Sequence, residues 1–278
     1  MGSIQPKRIG PWTCVKRIIS SCDVVIEVLD ARFPQETRSR EIETMVRSSG
    51  KRLIILLNKA DLVPRKSRNE LRLSLSIMKS VPVVLFSAKA RWAREKSLLF
   101  RMILLVGKPK PGMPVRAGII GFPNTGKSSV INFLTNRSVA KTSTISGFTR
   151  GIQWINCGGR FRGRVMFMDT PGVIPIDRRL PGMEEGLLLT CALSPDKVEN
   201  LIAASEKVIE KLLEENPGFL FKHYDLVCDE PVPSAMKPSL VLELIGRRRG
   251  KLLKGGVIDL NESAKIVLRE WQAGKLIP

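Results

Sequence analysis

Gly121-Phe122-Pro123-Asn124-Thr125-Gly126-Lys127-Ser128 has the residue types and spacing of a phosphate-cradling loop, G-x-x-x-x-G-K-[ST]. Its two glycines free the backbone to wrap an anion, and the helix that should come next adds unpaired N–H groups at its positive end. Lys127 is placed to reach β and γ phosphates, and the Ser128 hydroxyl to ligate Mg²⁺. Pro123, Asn124, Thr125, Gly126 and Ser129 complete the candidate cradle. Such a loop needs a strand before it and a helix after it. Arg116 to Ile120 is a short apolar run of strand character, and Ser129 to Leu134 carries apolar residues at helical spacing.

Three further clusters carry chemistry of the same kind. In Asn58-Lys59-Ala60-Asp61 the Asp61 carboxylate can accept two hydrogen bonds from guanine N1–H and the exocyclic amine, a donor pair that adenine lacks. Asn58 would tie this loop to the phosphate loop, and the Lys59 stem would lie over the base. Ser87-Ala88-Lys89 would offer the Ala88 N–H to the guanine carbonyl; the tripeptide is weak alone and gains weight from its place after a buried run. In Asp169-Thr170-Pro171-Gly172, Asp169 would hold Mg²⁺ through water and Gly172 would present its N–H to the γ phosphate. Thr149, with Thr142 and Thr144 as competitors in the same hydroxyl-rich stretch, is the candidate to close on Mg²⁺ when the γ phosphate is present. Lys127, Thr149 and Gly172 are therefore the candidate catalytic residues. Val173 stands where a water-orienting glutamine would be expected, so the group that positions water is not evident.

The elements that must position these residues alternate. Apolar runs at 23–29, 52–57, 82–86, 116–120, 151–157 and 164–168 read as strands, with helical segments at about 15–20, 38–49, 66–79, 93–106 and 129–136 between them. The pattern implies an α/β fold, a doubly wound and mostly parallel sheet, over residues 1–182. Each cluster hangs at the carboxyl end of a strand, where open α/β sheets bind ligands. Residues 107–114 hold three prolines and two glycines and read as a linker. From 183 to 278 the pattern is helical, at about 196–215, 234–246 and 261–273, with turns at Asn216-Pro217-Gly218 and Lys254-Gly255-Gly256, and indicates a small all-α domain.

Charge divides the 278 residues unevenly. Residues 1–182 hold 33 lysines and arginines against 11 aspartates and glutamates, while 183–278 hold 13 against 15, within a formal charge of +20. A basic nucleotide-binding half favours a polyanionic partner, most simply RNA, over basic residues that merely solubilise the surface. Arg247-Arg248-Arg249-Gly250-Lys251 is a second candidate RNA contact. No apolar run approaches a membrane span and no apolar signal core succeeds Lys7 and Arg8, so a soluble cytoplasmic protein is expected, with neither membrane nor DNA as partner. Five scattered cysteines and a single histidine, His223, argue against zinc or a disulfide framework.

The order of the clusters carries a resemblance. With the guanine-reading motif first, the phosphate loop later and Asp169-Thr170-Pro171-Gly172 last, the chain resembles the circularly permuted GTPases of the YlqF/RbgA branch. The likeness extends to Asp30-Ala31-Arg32 and to the tail Gly246 to Gly256. It implies a permuted Ras-like GTPase domain using GTP/GDP and Mg²⁺, joined to a C-terminal RNA-binding domain of helices. It also implies a partner in the large ribosomal subunit or its precursor, bound through rRNA. Relatives with a histidine in the N-terminal segment use it to aid hydrolysis; here none precedes His223. Slow turnover, stimulated by ribosomal particles, is the expectation. Asn124 resembles the phosphate-loop asparagine of K⁺-dependent GTPases, though a plain structural asparagine fits as well. Arg32 reads as structural and His223 as a packing residue. A second reading is a nucleotide-gated RNA-binding placeholder with negligible hydrolysis, and a third, a membrane or transport GTPase, is weakened by the lack of a span.

Overall fold

A computed structural model of the chain describes residues 11–76, 81–136, 153–157, 159–169, 200–226 and 236–276. The chain divides into two compact units, Met1–Asp177 and Arg178–Pro278.

In the first unit, α1 (Pro11–Ser21), β1 (Val24–Asp30), α2 (Arg40–Ser48), β2 (Arg52–Asn58), α3 (Arg65–Ser76), β3 (Val83–Leu85), α4 (Ala93–Gly107), β4 (Val115–Ile120), α5 (Lys127–Thr135), β5 (Gln153–Asn156) and β6 (Val165–Asp169) come in chain order. The strands form one sheet in the order β3-β2-β1-β4-β6-β5, and among the described residues only the β5–β6 pair is antiparallel. All seven residues of β1 are buried, as are the last five of β2. Continuous apolar strands of this kind are what a parallel sheet covered on both faces requires. One core joins Ile26, Val28, Ile54 and Leu56 of the sheet to Leu99, Phe100 and Ile103 of α4 and Val130 and Leu134 of α5. That packing fixes α5, and with it the loop that precedes it.

The β1–β2 register pairs Asp30 with Asn58, so the loops after these two strands leave the sheet side by side. Glu27 lies fully buried in β1. Its Oε1 accepts the Ser39 N–H at 2.9 Å, while Oε2 has no hydrogen-bond partner. Burial pushes this carboxyl up to about 8, against the opposing pull of the Ser39 N–H and with the neighbouring Glu43 adding to the rise. An unfolded glutamate titrates near 4.5, so the folded chain keeps a proton that the unfolded chain loses between these values. Stability therefore falls as pH rises from about 4.5 to about 8. Glu27→Gln keeps the acceptor for Ser39 and removes the titration. It should raise Tm at pH 8 by roughly 8–16 °C, corresponding to about 4 kcal/mol, and leave it nearly unchanged at about pH 4.5. Thermal melts of the two proteins across that range check it; an equal gain at every pH would contradict the assignment.

The second unit contains α6 (Leu201–Glu215), α7 (Pro217–Tyr224), α8 (Pro238–Arg248) and α9 (Leu260–Gln272). Asn200 caps α6 by accepting from Ala203 N, and Asp259 caps α9 by accepting from Glu262 N at 3.0 Å. Val208 and Leu212 of α6, Val241 and Ile245 of α8 and Val267 and Leu268 of α9 are buried. Gly246 lets α8 and α9 approach closely, since a Cβ there would lie 2.3 Å from Ser263 Oγ. The chain does break at Asn216, extended between α6 and α7, but the break is one residue long: Pro217 is already the first residue of α7, where its missing N–H costs nothing and its fixed φ suits a helix. Lys254-Gly255-Gly256 does turn the chain, between Leu252 and Ile258, which form an antiparallel bridge.

Candidate guanine-nucleotide site

Four loops meet at the carboxyl ends of β1, β2, β3 and β4. The loop from Gly121 to Gly126 turns sharply out of β4. Gly121 has φ +150°, and a Cβ there would sit 2.3 Å from the Val28 carbonyl oxygen; Gly126 has φ +93°, and a Cβ would sit 2.3 Å from Asn58 Nδ2. Asn124, with φ +59°, takes the left-handed conformation that asparagine tolerates. Thr125 Oγ1 closes the loop by donating to Phe122 O at 2.9 Å. Lys127, the first residue of α5, is buried and donates from Nζ to the same carbonyl. Burial, with Lys59 nearby, pushes its ammonium down to about 8. No carboxylate pairs with it among the described residues. A buried cation without a counter-charge at a helix N-terminus is a place for an anion.

Asn58, the last residue of β2, joins its own loop to the phosphate loop and to the loop after β3. Its Nδ2 donates to Thr125 O at 2.8 Å, and its Oδ1 accepts the Ala88 N–H at 3.2 Å. The tie between Asn58 and the phosphate loop agrees with the sequence expectation, whereas the Ala88 N–H, expected to face a base, is engaged by Asn58. Ser87 is buried and accepts the Ala90 N–H at Oγ, 2.9 Å away, which shapes the Ser87-Ala88-Lys89 loop and leaves Lys89 exposed. Asp61 Oδ1 is buried with no hydrogen-bond partner. A buried carboxylate oxygen without a donor is unfavourable unless a ligand supplies one. Together, the open glycine cradle, the uncompensated Lys127 and the orphaned Asp61 oxygen fit a guanine nucleotide.

Sequence reasoning missed how the loop after β1 takes part. Asp30 is fully buried and receives Arg32 Nε at 3.0 Å, Arg32 Nη2 at 2.9 Å, Arg32 N at 3.1 Å and Lys59 Nζ at 2.8 Å. Burial alone would raise its carboxyl, but Arg32 and Lys59 outweigh that and hold it down at about 2. Arg32 thus has the structural role expected of it. Lys59, in left-handed conformation with φ +62°, is held through its ammonium by Asp30. On the far side of the base-reading loop, Arg68 donates to the Val63 and Asp61 carbonyls and lies over the Trp92 ring. Neither Arg68 nor Trp92 belongs to a motif, and only the Asp30-Ala31-Arg32 resemblance hinted at the first of these braces.

Asp169 ends β6, beside β4 and the cradle it feeds. Ser128 and Ser129 lie in the first turn of α5, where Ser129 is exposed. Thr142, Thr144, Thr149, Thr170, Pro171, Gly172 and Val173 lie outside the described residues. In the helical unit His223 stacks on Phe219 and bonds Glu270 Oε2 at 3.0 Å, a packing role. Arg248 pairs with Asp225, and Arg249 lies 4.0 Å from Glu270 and over Tyr224, so two of the three consecutive arginines are engaged within their own unit.

Comparison with known proteins agrees with this geometry. The profile of the family described as 50S ribosome-binding GTPase matches residues 116–220. An uncharacterized GTP-binding protein of Methanocaldococcus jannaschii is 35% identical over 275 residues, covering 97% of this chain and 67% of that protein. A nuclear/nucleolar GTPase 2 of Oryza sativa is 34% identical over 98% of this chain and 48% of its own length, so the chain spans about half of this eukaryotic relative. Among solved structures, GDP-bound YlqF of Thermotoga maritima superposes with a TM-score of 0.63 at 25% identity, covering 94% of each chain. A second YlqF structure from T. maritima, bound to GNP, superposes with a TM-score of 0.60. In this chain, as its motif order requires, the strand feeding the guanine-reading loop precedes the strand feeding the phosphate loop; the chain belongs to the circularly permuted GTPases of the YlqF/RbgA branch.

Proposed function

We propose that this chain binds GTP and hydrolyses it as a checkpoint in assembly of the large ribosomal subunit, which it contacts through rRNA. The observation that carries the nucleotide part is the buried, unpartnered Asp61 oxygen in a loop tied by Asn58 to the phosphate cradle. The ribosomal part draws on the 50S ribosome-binding description of the matching family and on the nucleolar names of several relatives. The charge of residues 1–182 agrees with it. The protein would work in the cytoplasm; no helix among the described residues is long and apolar enough to cross a membrane.

In this reading Lys127 steadies the β and γ phosphates. Ser128, Asp169 and Thr149 hold Mg²⁺, which when bound neutralises charge developing on the phosphates. Gly172 reports the γ phosphate, and Lys59, Ser87, Ala88 and Lys89 frame the base read by Asp61. Residues 183–278 form the helical RNA-binding domain, with Arg247 and Lys251 toward the nucleic acid. Asn124 supplies a ligand for K⁺, which stands in for the missing water-orienting glutamine.

GTP turnover tests the reading. It should be slow for the protein alone, rise at least roughly tenfold with purified large subunits and not with small ones, and run faster in K⁺ than in Na⁺. Turnover undetectable with and without large subunits would leave only a nucleotide-gated binder, and equal rates in the two salts would remove the cation.

A further inference from the structure

In a parallel sheet whose nucleotide loops all leave the carboxyl edge, the opposite edge is free for another task. Here it is cationic. Arg47 lies in the last turn of α2, Lys51 and Arg52 stand at the start of β2, and Lys108 comes directly after α4. These four line one cleft of about 390 Å³. Part of its wall is apolar, from Leu105, which is 76% exposed, to Pro82 just before β3. The lining carboxylate, Glu43, is already bridged by Arg38 through Nε and Nη2. Among the described residues Arg47, Arg52 and Lys108 have no carboxylate partner, and Lys51 donates only to the Ser20 carbonyl, at 3.3 Å.

We infer that this cleft is a binding site for a single-stranded RNA segment, its phosphates on the cationic rim and a base against the apolar wall. The inference rests on the proposed rRNA contact and gives it a place on the first unit. Nearby cations without counter-charges favour a ligand of high, regular negative charge, and each phosphate neutralised releases condensed counterions. Exposed Leu105, lining the same cleft, has no electrostatic use but offers an apolar surface on which a base can pack. An acidic protein segment would satisfy the rim alone. Because the cleft and the nucleotide loops occupy opposite edges of one sheet, RNA held here would not compete with GTP.

The test uses the whole chain and a fluorescent single-stranded RNA probe of about 20 nucleotides, titrated at several salt concentrations. Arg47→Ala, Arg52→Ala and Lys108→Ala combined should weaken RNA binding at least roughly tenfold. The slope of log affinity against log salt should become shallower by about 2, three contacts at about 0.7 each for a single strand. Affinity for a fluorescent GDP analogue should stay within about twofold, which separates lost contacts from a damaged fold. Leu105→Ser should weaken RNA binding with the salt slope unchanged. If the native chain binds RNA and the triple variant binds it equally well, the cleft is overturned while the rRNA reading stands. If the native chain binds no RNA, that reading falls and takes the cleft with it. Displacement of RNA by polyglutamate of equal charge at equal concentration would overturn the choice of RNA as ligand.

Discussion

Asp61→Asn should turn a GTP-binding protein into one that prefers XTP. The native Asp61 oxygen is buried and lacks a donor, and guanine offers the two N–H groups that a carboxylate there can accept. An amide in its place presents an N–H to the exocyclic amine of guanine, donor against donor. Xanthine carries a carbonyl at that ring position and accepts the new N–H, while its ring N–H still donates to the amide oxygen. Sites built on such buried pairs reject a mismatched base strongly, so GTP affinity should drop by a factor of roughly 100 or more, with XTP gaining comparably. Calorimetric titration of both proteins with GTP and XTP measures it. Retained preference for GTP would show that Asp61 does not read the base.

Gly126→Ala should cost nucleotide affinity by a similar factor for a different reason. A Cβ at Gly126 would lie 2.3 Å from Asn58 Nδ2, so Asn58 must leave its position. Asn58 holds the phosphate loop through Thr125 O and the loop after β3 through the Ala88 N–H. Displacing it separates the surfaces that would grip phosphate and base, and leaves a buried amide without partners at about 1–3 kcal/mol. The positive φ at Gly126 adds about 1 kcal/mol of backbone strain for any L side chain. Gly163→Ala isolates that strain, because Gly163 has φ +72° with open space around its Cβ direction. Tm should fall in both variants, and nucleotide affinity only in Gly126→Ala. Asn58→Ala, which removes the same tie from the other side, should reproduce the affinity loss. Native affinity in Gly126→Ala would mean that the loops do not act as one site.

The sheet was legible in the sequence because buried parallel strands announce themselves as unbroken apolar runs: β1, β2 and β4 lie within a residue or so of the expected positions. The cradle was legible because Gly121, Gly126 and Lys127 do their work through backbone conformation and spacing, which a motif records. What a motif does not record is a contact between loops distant along the chain. Asp30 gripping Lys59 depends on a register that pairs Asp30 with Asn58, and nothing in either segment specifies the other. Arg68 over Trp92 is similar, since each looks like an ordinary helical surface residue until α3 and the turn before α4 are placed. Helix α7 escaped because proline and glycine in succession signal a turn locally. Proline opens a helix instead when apolar residues continue the pattern, as Phe219, Leu220 and Phe221 do here. The cleft at the amino edge has no sequence signature, as its cations come from the ends of three elements.

Sedimentation tests the proposed nucleotide-gated association with the large ribosomal subunit most directly. With a non-hydrolysable GTP analogue the protein should travel with purified large subunits and leave small subunits alone. With GDP it should stay near the top of the gradient. Equal association in both nucleotide states, or none with the large subunit in either, would contradict it.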